Sequence, residues 1–146
     1  MYSIPRIRVE MVREKGNSTK SVVNAINGPG DVAAICEYLQ SKDREQLDIL
    51  CLSTQSKVIA IHTVSIGSLN SSIVHPREVF KAAILANSAS IILVHNHPSG
   101  DPTPSDEDIK LTKRLCEAGK ILGITVLDHV IIGDGRFESL TESGLI

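Results

Sequence analysis

Residues 89–108 have the sequence ASIILVHNHPSGDPTPSDED, and they say more about the chain than any other stretch of it. The short, apolar and β-branched run 89–94 predicts a buried strand, which His95 and His97 continue. Residues two apart on a strand face the same side, so both imidazoles can point at one ion. The proline-rich residues that follow predict a loop, and Ser105 then begins a helix.

The spacing H-x-H-x7-S-x-x-D provides the components of a metal site. Ser105 and Asp108 are three residues apart and therefore lie on one face of the predicted helix. Two imidazoles and one carboxylate, with a fourth position left for water, are the ligand set of a catalytic zinc site. The alternative to metal binding is that His95 and His97 belong to a cluster that only caps the loop at an exposed strand end.

Asp108 has neighbours that could replace it as the third ligand. Asp101 lies in a proline-flanked turn, where aspartate is common. Asp106 and Glu107 fall in the first helical turn, where carboxylates favour the helix dipole and face water. Asp108 faces the same way as Ser105 and is the favoured ligand. Ser105 is typical of a helix N-cap, and a hydroxyl held there could also donate to a developing oxyanion.

A metal-dependent hydrolase also needs a proton shuttle, usually a carboxylate that is not a ligand. Glu45 is favoured because it begins an apolar strand, and sites form at the ends of sheets. Asp128 and His129 interrupt another apolar run, 126–132. They either orient a metal-bound imidazole or form a buried structural hydrogen-bond pair. The other candidates for the shuttle are Glu37, Glu78 and Glu107.

The remaining pattern alternates strands with helices and includes hairpins. It therefore predicts an α/β (α+β) fold, in which a mixed sheet is flanked by helices. The predicted strands cover 4–14, 45–53, 58–66, 89–97, 124–132 and 136–140, and the predicted helices cover 31–39, a segment that begins at 75–76, and 105–122.

Composition is typical of one globular domain. The 146 residues are 42% hydrophobic and 22% charged, with a formal net charge of -2, which gives no basic footprint for nucleic acid. The locally basic stretch 6–20 is more typical of a solvated strand face. Cys36, Cys51 and Cys116 are odd in number and form no C-x-x-C, which favours a reducing compartment. Without a membrane span or a secretory signal in the sequence, we expect the cytoplasm.

Several segments resemble the bacterial RadC family. They are GSLN at 67–70, HPRE at 75–78, HNHPSGD at 95–101 and LDHVIIG at 127–133, and the similarity runs from about residue 31 to residue 140. More broadly, the upstream glutamate with H-x-H-x7-S-x-x-D resembles the signature of JAMM metalloproteases, whose domain is also called MPN+ or JAB.

The resemblance implies a metal ion, expected to be Zn2+, held by His95, His97 and Asp108. It implies Glu45 as the general base and Ser105 as the residue that stabilises the tetrahedral oxyanion. The implied fold is a curved mixed sheet flanked by helices, related in outline to zinc deaminases. We expect this domain to span 31–146 and to follow an N-terminal strand and lead-in at 1–30.

The resemblance also offers a rival function. Longer RadC members carry an N-terminal helix-hairpin-helix region of a DNA-binding type, for which the thirty residues before the domain here are too few. A zinc-dependent hydrolase of peptide or isopeptide bonds, acting on a peptide or protein, is therefore favoured over a DNA-associated repair accessory protein or nuclease. A zinc deaminase would need H-x-E and P-C-x-x-C, which the sequence lacks.

Overall fold

The fold is built around one five-stranded sheet. The computed structural model describes residues 1–146, and the strands lie in the order β2-β1-β3-β4-β5. Only β3 and β4 are parallel, and the other neighbours are antiparallel, so the predicted mixed α+β fold is confirmed. In chain order the elements are α1 (Pro29–Ile35), a 3-10 helix (Glu37–Ser41), β1 (Gln46–Leu52), β2 (Val58–Ile66), α2 (Pro76–Leu85), β3 (Ser90–Asn96), α3 (Asp106–Leu122), β4 (Thr125–Ile132) and β5 (Phe137–Ser139).

Helices cover both faces of the sheet, and the period-2 alternation of the strands assigns each side chain to one of them. Ile49 and Leu93 pack on the face that carries α2 and α3, whereas Leu50 and Val94 pack on the face that carries α1. Both central strands, β1 and β3, are buried along their whole length. His95, two residues beyond Leu93, therefore points towards α3.

Helix α3 begins and ends where the sequence predicts. Ser105 is its N-cap, and Gly123 ends it in the left-handed conformation, with φ of 71°, which glycine adopts without steric cost. The start of this helix matters for the site because it fixes Asp108 in the first turn. None of the helices combines the length and apolar character needed to cross a bilayer.

The predicted strand at 4–14 is wrong. Residues 1–22 are exposed and lie outside every helix and strand, and the segment first pairs with the sheet at an isolated bridge between Ala25 and Lys57. Alternation distinguishes two faces of a segment, but a strand also needs a neighbour for its backbone groups. Here Ile7 and Val9 stay exposed because nothing covers them.

The first helix also differs from its prediction over 31–39. It begins at Pro29, since proline is preorganised for the first helical position. The α-helix ends at Ile35, and the 3-10 helix follows at Glu37–Ser41. Asp31, the predicted first residue, lies in the first turn, and its carboxylate accepts a hydrogen bond from the backbone N–H of Asn27 at 2.8 Å.

Candidate metal centre

The imidazoles of His95 and His97 lie together at the C-terminal end of β3. β3 ends at Asn96, but the backbone N–H of His97 still donates to the carbonyl of Ile132 at 2.9 Å. His97 therefore stays alongside β4, and its ring lies 4.8 Å from the ring of His95, measured between centroids. His95 is fully buried, whereas the side chain of His97 is 15% exposed.

Asp108 faces both imidazoles. Its Oδ1 lies 3.4 Å from Nε2 of His95, and its Oδ2 lies 3.2 Å from Nε2 of His97. The carboxylate is oriented by a capping box: Oδ2 accepts from the backbone N–H of Ser105 at 2.8 Å, while the Ser105 hydroxyl accepts from the backbone N–H of Asp108 at 3.1 Å. The helix start and the candidate metal site thus share the same carboxylate.

The other acidic candidates for the third position point elsewhere. The Asp101 carboxylate is exposed and accepts two hydrogen bonds from Thr103. Asp106 is exposed at the helix surface, and so is Glu107, which lies 3.9 Å from Lys110. Of these residues, Asp108 alone is buried beside the imidazoles.

Glu45 approaches the imidazoles from the start of β1. It is half-buried, and its carboxylate and the ring nitrogens of His95 and His97 all lie within 4.8 Å of one another. The one hydrogen bond of its carboxylate is a long one, accepted from the backbone N–H of Leu69 at 3.4 Å, so the carboxylate is held loosely. These three residues form a cluster that could hold a metal ion.

The other glutamates considered as proton shuttles lie away from this cluster. Glu78 is exposed in the first turn of α2 and pairs with Lys81 at 2.9 Å. Glu107 faces solvent on α3, and Glu37 is exposed in the 3-10 helix that packs on the opposite face of the sheet.

Asn96, the middle residue of the histidine pair, holds Glu45 in place from both sides. Its Nδ2 donates to the carbonyl of Arg44 at 2.9 Å, and its Oδ1 accepts from the backbone N–H of Gln46 at 2.8 Å. The side chain is 2% exposed. This role has no local signal in the sequence, because the partners of Asn96 lie about fifty positions away in the chain.

We expect the substitution Asn96→Leu to lower the free energy of unfolding by about 2–4 kcal/mol. Leucine preserves the volume but leaves the buried N–H of Gln46 without a partner, at a cost of about 1–3 kcal/mol, and also removes the hydrogen bond to the Arg44 carbonyl, worth about 0.5–1.5 kcal/mol. Denaturant unfolding measures the loss. An Asn96→Leu protein as stable as the wild type would show that the backbone around Glu45 does not need this clamp.

His97 is anchored through its other ring nitrogen. Nδ1 lies 2.8 Å from the carbonyl oxygen of Asp101. A carbonyl can only accept, so Nδ1 carries the proton, and in the neutral ring Nε2 is left with a lone pair. The loop after β3 therefore determines which nitrogen of His97 faces Asp108.

That loop packs tightly against the turn that follows β4. A Cβ atom on Gly133 would lie 2.4 Å from the carbonyl oxygen of Gly100 and 2.7 Å from Cδ of Pro102. The backbone N–H of Asp134 also donates to Gly100 at 2.8 Å. The turn thus supports the segment that carries Asp101.

Because of this close approach, we expect Gly133→Ala to lower the free energy of unfolding by about 1–3 kcal/mol, the usual cost of overpacking. It should also displace the carbonyl that holds His97. Thermal and denaturant unfolding measure the first effect. Gly30→Ala is the control, since Gly30 is exposed and a Cβ atom there would come no closer than 4.0 Å to another group, Cζ of Phe137. Equal stability of the two variants would contradict the packing argument.

Burial and charge set the protonation of the cluster. Burial lowers the pKa of His95 well below its usual range and lowers the pKa of His129 to about 4. Burial alone would raise the pKa of Asp108, but the hydrogen bond with His97 and the nearby His95 and Ser105 hold it below its ordinary value. This bond forms when His97 carries a proton on Nε2 as well as on Nδ1, and it raises the pKa of His97.

This arrangement predicts acid sensitivity of the metal-free protein. The pKa of His129 is lower in the folded state than in the unfolded chain, so the unfolded chain binds more protons and stability falls as the pH drops from about 6.5 towards 4. Between pH 7.5 and pH 4.5 we expect His129 to contribute a loss of about 2–3 kcal/mol. Denaturant unfolding at both pH values measures it, and His129→Gln should show a smaller loss.

Ser105 is exposed at the mouth of the site. Its oxygen accepts the backbone N–H of Asp108, which leaves the hydroxyl proton free to donate to another group. The interpretation as a helix N-cap is therefore correct, and this bond is compatible with a second role towards a substrate.

The side chains of Asp128 and His129 have different partners. The Asp128 carboxylate accepts from Ser139 at 2.6 Å and from the backbone of His129 and of Thr141, so it organises the turn around β5. None of these hydrogen bonds reaches an imidazole ring, so for Asp128 the contacts favour the structural alternative. The His129 ring does reach the site, since its Nε2 lies 2.6 Å from Nδ1 of His95.

The described residues fit a bound metal ion. Nε2 of His95 is buried and has no hydrogen-bond partner, and an unpartnered buried nitrogen is costly unless something binds it. It faces Asp108 and the lone-pair nitrogen of His97. Imidazole and carboxylate together are the donors that zinc accepts in its catalytic sites.

Comparison with known proteins agrees with this fold. A family model described as RadC-like JAB domain matches residues 26–145. A UPF0758 protein of Caldanaerobacter subterraneus is 58% identical over 93% of this chain and 59% of its own length. UPF0758 proteins of Desulforamulus reducens and Methanosarcina acetivorans are 62% and 49% identical, over 83% and 94% of this chain and 54% and 60% of their own lengths. The chain thus spans somewhat over half the length of these relatives, and it belongs to the RadC family, with a JAB-type domain.

Proposed function

We propose that this domain is a zinc-dependent hydrolase of peptide or isopeptide bonds. One observation carries the proposal: the Nε2 atoms of two anchored imidazoles face one carboxylate, Asp108, while a second carboxylate, Glu45, lies within 4.8 Å of both rings. A site with a ligand carboxylate and a separate base carboxylate is suited to hydrolysis. The resemblance to JAMM metalloproteases supports an amide as the substrate.

The two carboxylates differ in ways that suit two roles. Asp108 is 3% exposed and is fixed by Ser105, so it suits a ligand with His95 and His97. Glu45 is half-buried and loosely held, so it can exchange protons with a water molecule. A zinc ion held by these residues would supply Lewis acidity, which lowers the pKa of bound water to about 7 and polarises a carbonyl.

The protein's own groups would then move the proton and stabilise the charge. Glu45 accepts a proton from the attacking water and later returns it to the leaving amine, which is general base and then general acid catalysis. The Ser105 hydroxyl, whose oxygen already accepts from Asp108, donates to the oxyanion that develops on the carbonyl oxygen. Asn96 keeps Glu45 opposite the imidazoles during these steps.

The test is metal analysis combined with a cleavage screen. Purified protein should contain about one zinc ion per chain, and His97→Ala should contain much less. Metal-loaded protein should cleave members of a library of peptides and isopeptide-linked peptides. Chelation should abolish this activity and zinc should restore it. A zinc-loaded protein that cleaves no member of the library would count against the proposed reaction but not against the metal site.

A further inference from the structure

A buried chain of three side chains extends from α3 through β4 to the candidate metal centre. Thr112 lies one turn after Asp108 on α3, and its hydroxyl is 2.6 Å from the backbone carbonyl of Asp108 and 2.6 Å from Nδ1 of His129. Nε2 of His129 is in turn 2.6 Å from Nδ1 of His95. Thr112, His129 and His95 are all 0% exposed.

The hydrogen-bond partners of each polar atom in this chain determine which atoms carry a proton. The Asp108 carbonyl can only accept, so the single proton of the Thr112 hydroxyl is donated to it. The hydroxyl oxygen must then accept from His129, which places the ring proton of His129 on Nδ1. Neutral imidazole carries one ring proton, and a fully buried imidazole is held neutral by the cost of burying its charge.

The same reasoning continues to His95. Since Nε2 of His129 bears no proton, it accepts one from Nδ1 of His95. Nε2 of His95 is therefore left as a lone pair, and this is the buried nitrogen that has no hydrogen-bond partner and faces Asp108. A lone pair at that position is what a metal ion requires, since metal-ligating histidines commonly donate their other N–H to a fixed acceptor.

We propose that Thr112 and His129 are positioning residues that set the tautomer of His95, so that Nε2 is presented to a metal ion. The inference rests on the proposed metal site and extends it to residues that touch neither the metal nor a substrate. His97 achieves the same result through a single hydrogen bond to the Asp101 carbonyl. Both imidazoles thus depend on a backbone carbonyl, one directly and one through the Thr112–His129 pair.

Removing the Thr112 hydroxyl should weaken the preference of His95 for the tautomer with its proton on Nδ1. In Thr112→Val, Nδ1 of His129 loses its acceptor, so the ring proton of His129 can move to Nε2. His95 would then accept at Nδ1 and carry its own proton on Nε2, where it blocks metal binding. We expect the zinc dissociation constant to rise about 10–100-fold, the usual effect of losing such an outer partner.

Two measurements test the proposal. The first records long-range proton–nitrogen correlation spectra of the metal-free, 15N-labelled wild type, with each histidine assigned by a single substitution. The proton should be on Nδ1 of both His95 and His129. A proton on Nε2 of His95 would overturn the proposal, and this experiment needs neither metal nor activity.

The second measures zinc affinity by competition with a chelator. Thr112→Ser keeps the hydroxyl and should bind zinc close to the wild-type level, whereas Thr112→Val should not. Thr125→Val is the matched control, because Thr125 is exposed at the start of β4. Wild-type affinity in Thr112→Val would overturn the proposal, and if that variant fails to fold, the spectra of the wild type decide. A protein that binds zinc as described but cleaves no peptide would refute the hydrolase alone.

Discussion

Replacing Glu45 by glutamine is expected to lower the rate of peptide hydrolysis by a factor of about 10²–10⁴, the usual contribution of a positioned general base. Glutamine has nearly the same shape but cannot accept the proton of the attacking water. The zinc content should stay near one per chain, because His95, His97 and Asp108 are unchanged. Steady-state kinetics on a cleaved library peptide and metal analysis of the same sample measure both results.

Glu78→Gln is the control for this experiment. Glu78 was a candidate for the same role from its sequence, but it is exposed on α2 and pairs with Lys81, so its substitution should leave the rate unchanged. A Glu45→Gln protein that has lost its zinc would contradict the role of Glu45 as the general base. Glu45 lies within 4.8 Å of both imidazoles, and that result would make it a ligand instead of the base.

The parts of the site that depend on local geometry were predictable from the sequence. The alternation of a strand places the two imidazoles on one side, and the three-residue spacing of a helix places Ser105 and Asp108 together. Helix α3 begins at the capping box that this spacing indicates. The contact between Asp108 and the imidazoles then follows, because the loop between His97 and Ser105 is short.

The parts that depend on pairing between distant segments were not predictable. Asn96 reaches Arg44 and Gln46 because β3 lies antiparallel beside β1. His129 reaches His95 because β4 lies parallel to β3, with His129 opposite Leu93. Thr112 did have a local signal, since it follows Asp108 by four residues and so lies on the same helical face.

In the N-terminal segment, residues 4–14, the sequence misleads in the opposite way: the local pattern is strong, but the predicted strand does not form. Its alternation indicates a strand, but strand formation requires a neighbouring backbone. Ala25 forms an isolated bridge with Lys57, the residue before β2, and residues 4–14 pair with no strand of the sheet. Periodicity describes the faces of a segment, whereas pairing depends on which edges of the sheet remain open.

Replacing Asp108 by asparagine is expected to raise the zinc dissociation constant by more than about 100-fold, since losing an outer partner of a ligand already costs 10–100-fold. Asparagine removes the negative charge that faces both imidazoles but keeps an oxygen that can accept from Ser105. The helix cap should therefore survive, and the metal-free protein should lose only about 0.3–1 kcal/mol, the value of a first-turn charge.

Asp106→Asn is the matched control, because it removes the same charge from the same helical turn at an exposed position. Chelator competition should give wild-type zinc affinity for Asp106→Asn and a large loss for Asp108→Asn, while denaturant unfolding without metal should hardly distinguish the two. This comparison separates the carboxylate that faces His95 and His97 from one that only complements the helix dipole. If Asp108→Asn binds zinc normally and Glu45→Gln does not, the two carboxylates have the opposite roles, because Glu45 also lies beside both rings.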